Sequence, residues 1–262
     1  MTTWNRPTAV AGTFYPAEPG ILRAELEGFL SAVRETGPVP KALIAPHAGY
    51  RYSGPIAAEA YGRVRDGRGL ITRVVLLGPA HRVCVRGIAT STADAFASPL
   101  GPMRLDREAI ARIEKLPRVA PFDLAHQDEH SLEVHVPFLQ VTLGDVALVP
   151  LAVGDAKPEE VAAVLNELWG ADETLIVVSS DLSHYLDDAS ARALDSETAR
   201  AVETLAYDRI GDDQACGRMP IRGLLAVAKE RGLRVTTLDL RNSGDTSGKR
   251  DWVVGYGAWS LA

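Results

Sequence analysis

The stretch 41-KALIAPHAGYRYSGPIAAEAYGRV-64 decides the fold. It opens on the apolar run KALIAP, breaks at Pro-His-Ala-Gly, and resumes from Gly54 with apolar residues at helical spacing. A strand followed at once by a helix is half of a βαβ unit. The pattern recurs along the chain. Runs rich in Val, Ile and Leu at 73–79, 146–154 and 174–180 suit strands covered on both faces. Helical patterns at 19–35, 106–116, 157–169, 188–206 and 220–232 lie between or beside them. Strand and helix in alternation predict an α/β fold with a central, mainly parallel or mixed sheet and helices on both faces. The runs 234–240 and 252–261 alternate more clearly and add antiparallel strands at one side. No repeat or linker divides the chain, so residues 1–262 are expected to form a single domain.

Composition narrows the function classes. Of 262 residues, 46% are hydrophobic and 24% charged, enough apolar side chain for a substantial core without staples. A net charge of −6 argues against nucleic acid as a partner. The two cysteines, Cys84 and Cys216, have no C-x-x-C spacing, so a disulfide framework is not expected and a reducing, cytoplasmic setting fits. No signal-peptide pattern and no run of roughly 20 apolar residues is present, so neither export nor a membrane is expected.

The histidines carry the chemistry. His47 follows the strand run 41–46, His81 follows 73–79, and Asp181 with His184 follow 174–180. In open α/β sheets ligands bind beyond the carboxyl ends of the strands, so three such segments can meet at one point. Any one of them alone reads better as a loop histidine bonded to backbone; three in the same kind of position favour a shared site. Two imidazoles and a carboxylate are the ligand set of non-haem Fe(II) oxygenases. His47 and His81 supply the imidazoles in this reading, and Asp245 in 242-NSGDTSGKRD-251 the carboxylate, against the plain alternative of a solvated turn.

Asp181 can orient a histidine or cap a helix, and His184 can act as general acid/base or as a third nitrogen ligand. Tyr50, Tyr52 and Tyr185 offer ring surface and hydroxyls to a substrate, or pack. In 126-HQDEHSLEVHVPF-138 the order H-E-x-x-H is missing and Pro137 interrupts any helix. His130 and Glu133 are placed behind the ligands or in the pocket wall, and His126 and His135 in structural roles. Cys84 reads as a buried small apolar group, and Cys216 in QACGRMP has no neighbour that suggests a reactive thiol. There is no G-x-S-x-G, P-loop or G-x-G-x-x-G.

Taken together, RPTAVAGTFYP (6–16), APHAGYRYSG (45–54), LLGPAHR (76–82), DEHSLEVHVPF (128–138), VVSSDLSHY (177–185) and VVGYGAW (253–259) resemble the Memo-like proteins, in bacteria and archaea the B component of the AmmeMemoRadiSam group. The resemblance implies a fold similar to the class III extradiol dioxygenases. It also implies metal-ligand positions at His47 and His81, with Asp181 and His184 in the same pocket. Animal members use a cysteine of the C-terminal loop as a further metal-site residue; here that loop reads NSGDTSG, leaving Asp245 as the nearest carboxylate. The function implied is a metal-dependent, dioxygenase-like oxidoreductase acting on a small phenolic or catecholic substrate. Its metal is expected to be Fe(II), with copper and zinc as alternatives. A non-catalytic protein that holds metal, a peptide, or AMMECR-type and radical-SAM partners is the second expectation, and a zinc hydrolase the third.

Overall fold

The computed structural model describes residues 4–34 and 37–262, with the side chain of Ser247 also set aside. In chain order the elements are β1 (Asn5–Arg6), α1 (Pro19–Ala32), β2 (Ala42–Ala45), α2 (Tyr50–Gly62), β3 (Arg73–Pro79), β4 (Ile88–Thr90), β5 (Ala95–Phe96) and β6 (Met103–Arg104). There follow α3 (Arg107–Ile113), β7 (Val119–Pro121), α4 (Leu124–Gln127), α5 (His135–Thr142), β8 (Ala147–Val153), α6 (Pro158–Leu168) and β9 (Thr174–Ser179). The chain ends with β10 (His184–Leu186), α7 (Asp188–Glu203), α8 (Arg218–Arg231), β11 (Val235–Asn242), α9 (Ser243–Ser247) and β12 (Val253–Leu261).

The centre of the main sheet is the parallel set β2-β9-β3-β8, in which every residue except Arg73 at the start of β3 is buried. This is why those runs are continuously apolar: both faces are covered, so no position is left for a solvent-facing residue. The expected antiparallel additions are present. β12 pairs with β2, and β10 and β11 both pair with β12; at the other edge β4 joins β8 antiparallel and carries β7. A small second sheet, β1-β5-β6, lies apart. One continuous hydrophobic cluster runs through the whole, so the mixed α/β architecture expected from the sequence is the one observed.

Local chemistry sets the boundaries. α1 begins where Glu18 accepts hydrogen bonds from the backbone of Gly20 and Ile21, with Pro19 at the first helical position. It ends at Ala32, and the expected extension to Glu35 reaches outside the described residues. α2 starts four residues earlier than the pattern from Gly54 suggested, with Tyr52 and Ser53 donating to the Gly49 carbonyl. Pro55 therefore sits inside the helix, where it removes the donor that would reach Arg51, an exposed residue. The 126–138 segment is not one helix. His126 ends in α4, residues 128–134 turn, and Pro137 falls in the first turn of α5, where proline is tolerated. Likewise NSGDTSG is a short helix and not a loop: Asn242 caps it and Asp245 returns a bond to the Asn242 backbone. Because β2, β3, β8 and β9 are parallel, their carboxyl ends share one edge, and Ala45 is in register with Ser179 there.

Candidate metal centre

His47 leaves the end of β2 and is 1% exposed. Its N–H donates to Asp181 Oδ1 at 2.7 Å, and its Nδ1 lies 2.6 Å from Ser179 Oγ, the last residue of β9. Its Nε2 faces Cys216 Sγ at 3.3 Å. His81, just past β3, is held by a single carboxylate: Glu129 Oε2 accepts its N–H at 2.5 Å and Oε1 its Nδ1–H at 2.9 Å. A carboxylate only accepts, so Nδ1 carries the proton and Nε2 is left with a free lone pair. The ring centroids of His47 and His81 are 5.2 Å apart, and one ligand atom each from His47, His81 and Cys216 lie within 4.8 Å of one another. Two imidazoles and a thiol thus converge, a donor set that suits copper, zinc or iron. The residues fit a metal: the inward nitrogen of His81 is the one its support leaves unprotonated, and His47 turns Nδ1 to Ser179 and Nε2 to Cys216.

Cys216 reaches this point from the turn before α8. Its N–H donates to the Asp181 carbonyl at 3.3 Å, and the Gly217 N–H to Ser180 Oγ at 2.9 Å. Gly217 has to be glycine here, since a Cβ would stand 2.5 Å from the Ser179 carbonyl oxygen. The turn is thereby pressed onto the end of β9.

The electrostatics follow from burial. His47 is pushed well below the usual histidine range by burial, reinforced by the neighbouring His81 and His130, so it is neutral. Burial also lowers His130 to about 4 and raises the Cys216 thiol to about 12. A bound cation reverses the logic for a thiol, which is deprotonated on coordination. Burial raises Asp181 to about 6, opposed by the bond from the His47 N–H. For Glu129 burial alone would act upward, but the bonds from the side chain and backbone of His81 overcome it and hold the carboxylate at about 2.

The sequence expectations divide. His47, His81 and Asp181 meet at one edge. His130 joins them, stacked on His81 at 4.8 Å and edge-on to His47 at 5.4 Å. His184, on β10, donates from Nδ1 to the Leu182 carbonyl at 2.8 Å, which leaves Nε2 of the neutral ring as an acceptor; the exposed Tyr185 ring lies edge-on to it at 5.8 Å, and Tyr52 is exposed on α2. Tyr185 has φ of 58°, a left-handed conformation costly for a non-glycine residue and common at functional sites.

Five assignments are corrected. Asp245 is not at the centre: Oδ1 accepts from Arg192 at 2.6 Å and from Arg250 at 3.1 Å, and Oδ2 caps Asn242, so its lone pairs are taken by surface cations and backbone. Cys216 stands with the two histidines instead. Glu133 does not line the pocket. It is 1% exposed and consumed by Arg6, the Ala9 and Val10 N–H groups and the Tyr15 hydroxyl; Glu129 is the carboxylate that serves the site. Tyr50 is core, 2% exposed, with its hydroxyl on the Val134 carbonyl. Cys84, expected to be buried, is exposed and lines a cleft of about 480 Å³ together with His81, Arg82, Cys216 and Arg218. His126 and His135 are buried away from the centre, on Ala89 and Tyr61, as expected.

Cys216 was the residue hardest to read. Its local sequence shows no acid/base neighbour, because its partners lie 169 and 135 positions away in the chain, at His47 and His81. The one local signal is Cys-Gly directly before a helical pattern, a place where the chain can press close to other backbone.

A solved structure of an uncharacterized protein from Escherichia coli K12 superposes with a TM-score of 0.51 over 84% of this chain and 98% of that one, at 11% identity, a likeness of fold alone. Proteins named MEMO1 family protein from Archaeoglobus fulgidus and Aquifex aeolicus are each 35% identical over 264 and 262 residues, covering 96% of this chain and 97% of theirs. The family model described as Memo-like protein matches residues 6–260, a span that contains every residue of the His47, His81 and Cys216 centre and of its supports. The chain belongs to the Memo-like protein family.

Proposed function

We propose that this protein is a metal-dependent oxidoreductase whose centre is His47 Nε2, His81 Nε2 and the Cys216 thiolate. The observation that carries the reading is the convergence of those three donor atoms within 4.8 Å, with the ring proton of His81 turned away onto Glu129. A transition metal held there supplies Lewis acidity and one-electron chemistry. The thiolate replaces the carboxylate of the facial triad, so copper and zinc compete with Fe(II) more strongly than a two-histidine, one-carboxylate set would allow.

The chain's own residues define the rest. Of the three donors only His81 is exposed, so a ligand reaches the centre on the side of His81. His184 Nε2, free to accept, takes a proton from a phenolic or catecholic hydroxyl in this reading, and Tyr52 and Tyr185 offer ring surface. Buried Asp181 holds the His47 backbone. A chain that only stored metal, or passed it to AMMECR-type or radical-SAM partners, would use the same open side at His81.

Metal analysis of protein purified without chelators tests the centre, and oxygen consumption with a catechol panel tests the reaction. One equivalent of iron or copper that is lost in His47→Ala, His81→Ala and Cys216→Ala is expected, with turnover only in the loaded, unaltered chain. Full metal content in Cys216→Ala overturns the centre. Stoichiometric metal without turnover of any catechol moves the protein to the storage class.

A further inference from the structure

Behind the two imidazoles lies a chain of hydrogen bonds that meets at one residue. Ser131 donates its N–H to Glu129 Oε1 at 2.9 Å, the same oxygen that receives His81 Nδ1. Its carbonyl accepts the Ser179 hydroxyl at 2.6 Å, and its own hydroxyl donates to the Pro79 carbonyl at 2.8 Å, at the end of β3. Ser179 Oγ is in turn 2.6 Å from His47 Nδ1. Both serines are fully buried.

Proton counting then decides the tautomer of His47. Ser179 has one hydroxyl proton and two close neighbours, the Ser131 carbonyl oxygen and His47 Nδ1. The carbonyl can only accept. Were the proton given to His47, two oxygens would face each other at 2.6 Å in a dry site with no hydrogen between them. The proton therefore lies on the Ser131 side, and His47 Nδ1 must itself be protonated to fill the remaining contact. His47 Nε2 is then the acceptor, and it is the nitrogen that faces Cys216.

We infer that Ser179, held by the Ser131 carbonyl, is a positioning residue that fixes His47 in the Nδ1–H tautomer and presents Nε2 to the centre, while Glu129 does the same for His81. Ser131 joins the two supports, so both rings are set by one turn of chain. The supports differ in kind. A carboxylate behind His81 makes that ring the stronger donor; a neutral hydroxyl behind buried His47 sets direction without adding charge. The fold leaves room for the pair. Gly78 of β3 has no side chain, and a Cβ there would stand 2.9 Å from Ser131 Oγ and 3.2 Å from Ser179 Cβ.

The inference builds on the metal reading but is measured apart from it. Long-range ¹H–¹⁵N correlation spectra of the metal-free, histidine-labelled protein are expected to show His47 with a pyrrole-type Nδ1 and a pyridine-type Nε2. Titration with cobalt(II), followed by its thiolate charge-transfer band, should show affinity about 10–100-fold weaker in Ser179→Ala. Ser179→Thr, which keeps the hydroxyl, should restore most of it. An Nε2–H tautomer in the unaltered chain overturns the inference, as does unchanged cobalt affinity in Ser179→Ala. If that variant does not fold, the tautomer in the unaltered chain still decides. Cobalt binding that survives Cys216→Ala overturns the metal reading instead, and leaves the tautomer result standing.

Discussion

Two polar clusters in this protein draw on overlapping residue types and behave oppositely. One gathers His47, His81, Cys216, Glu129, Ser131, Ser179 and Asp181 at the carboxyl edge of the parallel strands, mostly buried. The other joins Asp188, Arg192, Asp245 and Arg250 on the surface to the buried Asn242, with two carboxylates facing two guanidiniums and every partner answered by another. The first cluster spends its hydrogen bonds on the far side of each ring and leaves Nε2 and Sγ turned inward. The second has no comparable free donor to offer a cation. What separates a site from a brace is the lone pairs left over after the protein's own bonds are made.

The strongest way to break the buried cluster is from beneath. Arg6 is 2% exposed, pairs with Glu133, and donates to the His126 and Glu129 carbonyls at 2.8 and 2.6 Å. Arg6→Met leaves Glu133 buried without its cation, which costs about 3–5 kcal/mol in comparable cases. A urea midpoint within error of the unaltered chain would show that this pair is not the foundation of the Glu129 turn. Next in size is Cys216→Ala. Loss of a ligand should lower cobalt(II) or zinc(II) affinity by about 100-fold or more, beyond the 10–100-fold typical of supporting groups. Competition with a chromogenic chelator measures it, and a change smaller than that of Ser179→Ala would reverse the ranking of ligand and support.

How much of this was legible in the sequence depends on where each signal resides. Strand ends are local: an apolar run stopping at Pro-His or Pro-Ala-His marks an edge, and parallel pairing then brings His47, His81 and Asp181 to one place. Cys216 carries no such mark, because the connection from α7 to α8 is delivered to the site by tertiary packing. Glu129 and Glu133 are only four residues apart, and it is the turn at 128–134 that sends one to His81 and the other to Arg6. For Asp245 the signal was present and was outweighed: Asn242 followed three residues later by an acid is the pattern of a capped helix start.

The buried histidines, inside and outside the centre, also predict a pH response that the surface cluster does not share. Burial holds His126 and His130 at about 4, His135 at about 3 and His47 well below its usual range. With folded values below the unfolded value of about 6.5, the unfolded chain binds more protons between about pH 6.5 and 4, and stability falls as pH is lowered. Asp181, raised to about 6, acts oppositely between about pH 4 and 6, joined by Asp195 and Glu25, which burial also raises, against the four histidines. The urea midpoint of the metal-free protein should therefore drop from pH 7 to 5, by up to roughly 1.4 kcal/mol per pH unit for each histidine. His135→Phe should make the drop shallower. A midpoint that is flat over this range would mean that the histidines are not held neutral by the fold.

The smallest expected effect sharpens the comparison most. Asp245 was the residue whose type best completed a facial triad, and it sits in the surface cluster instead. Asp245→Ala removes one arm of a capping box and two exposed ion pairs, together about 1 kcal/mol or less, because surface pairs are screened by solvent. Cobalt(II) affinity and the thiolate band should be those of the unaltered chain. A ligand role for Asp245 is opposed by the same geometry: with Arg192 and Arg250 on its one outward oxygen, a metal at Asp245 would have to displace two guanidiniums before gaining a single ligand. A weakened cobalt complex in Asp245→Ala would therefore require the α9 corner to reach the centre, and would return the carboxylate to the ligand set in place of Cys216.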